Sequence, residues 1–92
     1  MPDYAALTDA LLRRAFPGGL SDPDYLGVLR VLGPHMSQRN LAEVVSDFTG
    51  RDPSTVINDV LGVDGKHIEA AVIGRVERAL SDAGLEAWIR EA

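Results

Sequence analysis

Apolar residues recur every three or four positions along this chain, in stretches broken by short runs of Gly, Pro, Asp and Ser. Tyr4, Leu7, Leu11, Leu12, Ala15 and Phe16 form the first stripe, and the spacing predicts an amphipathic helix from about Asp3 to Ala15. Arg13 and Arg14 fall in its last turn, where cations complement the carbonyl end of the helix dipole. The run from Phe16 to Tyr25 then joins a stop to a start. Pro17, Gly18 and Gly19 do not continue a helix, whereas Asp22 ahead of Pro23 predicts an N-cap and a first helical residue. Phe16 and Tyr25 flank this corner as apolar anchors. Tyr25, Leu26, Val28, Leu29 and Leu32 are the predicted inner face of helix two, which Gly33-Pro34 ends.

Ser37 is the predicted N-cap of helix three, with Met36 and Leu41 spaced for a hydrophobic staple. Leu41, Val44, Val45 and Phe48 form its buried face, and Gly50 stops it. Helix four starts at Asp52-Pro53, is expected to bury Val56, Ile57, Val60 and Leu61, and ends at Gly62. Helix five is predicted to begin near Asp64 or Gly65. Its stripe is Ile68, Val72, Val76, Ala79 and Leu80, with Ile73 beside it and Gly84 as C-cap. Leu85, Trp88 and Ile89 complete a last apolar turn. No segment shows sustained alternation of apolar and polar residues, so no strand is predicted. The expected fold class is all-α: a compact bundle of five helices plus a short C-terminal helical turn, with residues 1–92 as one domain. Asp22-to-Gly33 and Asp52-to-Gly62 share an Asp-Pro start and a Leu-Gly end, read as shared capping chemistry and not as a repeat.

Composition narrows the functional classes. A chain of 92 residues, 46% hydrophobic and 25% charged, suits one small globular unit with little room for a deep cofactor cleft. With no cysteine there is no disulfide, thiolate nucleophile or cysteine-held metal. No apolar run is long enough to span a bilayer and no signal-peptide pattern opens the chain, so the expectation is a soluble, cytoplasmic protein without membrane contact. The net charge is −5, and both halves carry more acidic than basic residues, which speaks against a nucleic-acid footprint. Eight of the nine basic residues are arginine, and with abundant Ala, Val, Gly and Asp this composition fits a GC-rich genome such as that of an actinobacterium.

The run Phe16-Pro17-x-Gly19-Leu20, followed by Asp24-Tyr25, Leu29, Leu32, Met36-Ser37 and Val44-Val45, resembles the actinobacterial domain-of-unknown-function family 3349. The closing Arg75-Val76-x-x-x-Leu80-x-x-x-Gly84-Leu85 is similar to that family's C-terminal pattern, with Leu85 where the family usually has tryptophan. The proline common before the family's last helix is missing. The resemblance implies a small five-helix bundle of uncharacterised role and brings no catalytic residues with it. Leu7-x-x-Ala10-Leu11-Leu12 with Ala15-Phe16-Pro17 also resembles the helical effector-associated domains of bacterial conflict systems, which implies an adaptor that recruits another protein.

Candidate chemistry is sparse. His35 and His67 are far apart in sequence and lack ligand spacing, so no metal and no cofactor is expected. None of the serines lies in a nucleophile elbow, and no serine–histidine pair is evident, so no enzymatic activity and no small-molecule substrate is expected. Asp9 with Arg13, and Asp47 with Arg51, have the four-residue spacing of surface ion pairs. Two functional readings follow. The first is a non-catalytic protein–protein interaction or adaptor module using an apolar patch rimmed by arginine, self-association included. Its candidate contacts are Trp88, Arg39 and Arg51, Trp88 serving only where it is not absorbed by the core. The alternative is a helix-turn-helix over residues 37–61, with Ser54, Thr55 and Asn58 facing the major groove and Arg39 and Arg51 on phosphates. The interval from Ala42 to Gly50 is about one turn longer than that motif uses, and the acidic charge removes the counterion-release term.

Overall fold

A computed structural model describes residues 3–91, and among these every regular element is helical. Helix α1 spans Tyr4–Ala15, α2 Asp22–Leu32, α3 Gln38–Thr49, α4 Pro53–Gly62, α5 Ala70–Ala83 and α6 Leu85–Glu91. The predicted all-α class holds, and the expected terminal turn is a seven-residue sixth helix. Two short 3-10 helices, Gly33–His35 and Val63–Gly65, extend α2 and α4.

Local chemistry explains most boundaries. Asp3 caps α1 by accepting from the amides of Ala5 and Ala6. Ser37 caps α3 through the Asn40 amide, and Asp52 caps α4 through the Thr55 amide. Gly50 and Gly84 close α3 and α5 at φ 73° and 110°, left-handed values that favour glycine. The predicted cap of α2 is corrected by one residue: the hydroxyl of Ser21 accepts from the Asp24 amide, and Asp22 is already helical. Asp22 instead carries charge in the first turn, where an anion suits the helix dipole.

The start of α5 also differs from expectation, lying at Ala70 and not near Asp64. Nothing between Lys66 and Glu69 offers a side-chain N-cap bond, and Val63–Gly65 prolongs α4 instead. The Arg30 guanidinium reaches across from α2 and donates to the carbonyls of Val63 at 2.6 Å and Lys66 at 2.7 Å. These two bonds hold the chain in a loop before α5 begins. Ile68 therefore packs on the core from that loop and not from a helical stripe.

One core runs through the described residues. Leu11, Leu12, Val28, Leu29, Leu32, Leu41, Val45, Val56, Val76 and Leu80 are fully buried. Helix α3 packs most extensively on α4 and α2 on α5, while α1 lies against both α3 and α5. The α2–α5 approach is close: a Cβ on Gly27 would stand 2.9 Å from a Val76 methyl. Phe16 and Tyr25 are both buried, so the corner between α1 and α2 is held to the core from each side. The shared Asp-Pro and Leu-Gly ends of α2 and α4 do not mark equivalent packing, because Leu32 is fully buried and Leu61 is 59% exposed.

Candidate partner-binding groove

Helices α3 and α4 are joined by a turn of three residues, Gly50 to Asp52, and lie side by side. Ser46 reinforces the turn by donating to the Arg51 carbonyl at 2.7 Å. Between the outer surfaces of the two helices runs a shallow groove of about 270 Å³. Ala42, Pro53 and Ile57 form its apolar floor, with Arg39, Glu43 and Ser54 on its edges. Pro53, Ile57 and Leu61 succeed one another at four-residue intervals, so they lie along one face of α4. Leu61, at 59% exposure, carries that apolar row one turn beyond the groove.

Arg39 and Glu43 sit one helical turn apart on the α3 edge and are both exposed. Among the described residues neither makes an ion pair. Most other arginines are engaged. Arg13 pairs with Asp9 at 2.6 Å, as its spacing predicts. Arg14 donates to the Ala83 carbonyl at the end of α5, and Arg75 reaches Asp24 at 2.5 Å. The expected Asp47–Arg51 pair does not form. Left-handed Gly50 takes Arg51 off the helix, so helical spacing no longer applies, and its guanidinium meets Asp22 at 2.7 Å.

The same guanidinium lies 4.1 Å above the Tyr25 ring. The Tyr25 hydroxyl donates to the Asp59 carboxylate at 2.6 Å. Burial, and then that hydrogen bond, push the Tyr25 phenol well above its ordinary range. Arg51 thus joins the N-terminus of α2 to the α3–α4 turn and is not available as the free contact the sequence suggested.

Trp88 is also corrected as a partner anchor. At 3% exposure it belongs to the core, its indole N–H donating to the Thr8 hydroxyl at 3.0 Å. Thr8 in turn donates to the Tyr4 carbonyl at 2.7 Å, which orients its free lone pair towards the indole. The His35 ring stands nearly perpendicular to the same indole, centroids 6.3 Å apart. Ser54, Thr55 and Asn58 are all exposed on α4. His67 lies beside Glu69, far in the chain from His35, and among the described residues no group of three or more potential ligands gathers.

Of the sequence-selected contacts, only Arg39 and Ser54 reach the groove. Of the α4 residues expected in the core, Leu61 is exposed, while Ile57 packs partly against the core and also lines the groove. The signal lies in the spacing: α4 carries two apolar rows, Val56–Val60 and Pro53–Ile57–Leu61, of which the first is buried and the second only partly covered, at Ile57. No family model, curated protein or solved structure matches the chain.

Proposed function

We propose that this domain is a non-catalytic protein–protein interaction module that docks its partner on the α3–α4 groove. The observation that carries this reading is an apolar row on α4, Pro53–Ile57–Leu61, beside two exposed charges that make no ion pair among the described residues. Docking there removes apolar surface from water, about 25 cal/mol per Å², and gives Arg39 and Glu43 counter-charges at a polar rim. No helix among the described residues is long and apolar enough to cross a membrane, and a cytoplasmic setting is part of the proposal. The resemblance to family 3349 brings no role with it, whereas kinship with effector-associated adaptors, proposed on the residues quoted above, agrees with a role of this kind.

The test is co-purification from the native host with wild type and Ile57→Asp, which places a carboxylate in the half-buried groove floor. Wild type is expected to retain a partner, a second copy included, and Ile57→Asp to lose it with an unchanged far-ultraviolet spectrum. Recovery of the wild type alone, or equal recovery by both, contradicts the reading.

DNA binding is the second reading, favoured by the three-residue turn and by Ser54, Thr55 and Asn58 sharing the exposed side of α4. Helix α4 has no basic residue, and Arg51 is held by Asp22 and Tyr25, so the phosphate contacts that supply affinity are thin. A gel shift with genomic fragments at low salt supports this reading; no shift at micromolar protein removes it.

A further inference from the structure

We propose that the occupant of the α3–α4 groove is a second copy of this chain, related by a two-fold axis that runs between the two α3 helices at the level midway between Arg39 and Glu43. The inference rests on the groove being the docking surface. It is carried by the charge pattern. Arg39 and Glu43 are opposite in sign, one turn apart on the same edge, exposed, and without an ion pair among the described residues. With the cation nearer the helix N-terminus, this order is the less favourable one for a pair within the helix, which leaves both groups available outward.

A two-fold axis perpendicular to α3 in the plane of contact runs the second α3 antiparallel to the first. Each Arg39 then faces Glu43 of the second copy, and the pair occurs twice. A partner of a single charge sign satisfies only one of the two groups, whereas this edge complements itself. Isologous two-fold contacts are the commonest form of soluble homo-oligomer. Ile57, which lines the same groove, then lies beside the contact.

Sedimentation velocity on the full chain at physiological ionic strength, over a concentration series, tests this. Wild type is expected to shift from monomer towards dimer. Arg39→Glu leaves two acids on the edge and Glu43→Arg leaves two bases, so either homodimer sets like charges opposite one another. Each variant alone is expected to weaken association by about tenfold or more. An equimolar mixture is expected to restore a dimer close to wild type, because every Arg39→Glu copy then faces a Glu43→Arg copy with opposite charges at both positions. Both sites are exposed, and matched thermal melts confirm that the variants fold.

A dimer indifferent to both substitutions, or a mixture no better than its components, overturns the two-fold arrangement. A wild type that stays monomeric also overturns it. If Ile57→Asp still abolishes capture of a different protein in that case, docking on the groove survives and only the second copy is excluded.

Discussion

Arginine shapes this molecule more than any other polar residue. Arg14, Arg30, Arg51 and Arg75 each link parts of the chain at least 29 positions apart, by capping carbonyls of another element or by pairing with a carboxylate. Their planar, multi-donor heads suit such bridging better than the point charge of lysine. What reads in the sequence as compositional bias is therefore also structural. Thr8 is another polar residue with a long-range task. Replacing it with valine keeps the shape but leaves the buried Trp88 N–H without an acceptor, a loss of about 1–3 kcal/mol. Urea unfolding followed through the single tryptophan measures it; unchanged stability would show that the bond does not hold α6.

Tyr25 gives the molecule an alkaline limb. Its folded pKa lies above the unfolded value of about 10, so its contribution is complete below that pH and declines as pH rises above it. The unfolded chain loses the phenolic proton while the folded chain still holds it. Tyr25→Phe should flatten the fall in stability above about pH 10 while lowering stability at neutral pH by the lost bond to Asp59. Melting temperatures of the two proteins between neutral and alkaline pH check this, and parallel curves would contradict it.

At the scale of elements, Gly27 marks a close helix crossing, between α2 and α5. Alanine there gains about 1 kcal/mol of helix propensity, yet its Cβ meets a stiff, fully buried Val76 at 2.9 Å. Overpacking of this kind costs about 1–3 kcal/mol, so Gly27→Ala is expected to be destabilising on balance, with a lower melting temperature. A rise would show that α2 and α5 can separate freely. The helices themselves were legible, because caps at Asp3, Ser37 and Asp52 and stops at Gly50 and Gly84 are written in single residues. Ser21 as the cap of α2 was hidden behind the equally plausible Asp22. The late start of α5 was not legible, since Arg30, some thirty-five positions earlier, holds the preceding loop.

For the whole molecule, the apolar pattern foretold an all-α core but overfilled it at Leu61, which is exposed, while Ile57 is only half covered. Both have helical spacing with Val56 and Val60, and only tertiary packing decides which row faces inward. The same ambiguity kept Trp88 open as an anchor until α6 folded back on Thr8. An apolar patch with arginine at its rim was readable in kind, and its location was not. The central claim is that this surplus row on α4 is where partners dock.

A photo-crosslinking residue placed at position 57, compared in the native host with one at the exposed Asp82, tests it most directly. The account predicts a discrete adduct from position 57, with a second copy or another protein, and none from position 82. Crosslinks from position 82 alone, or none from position 57, would contradict it.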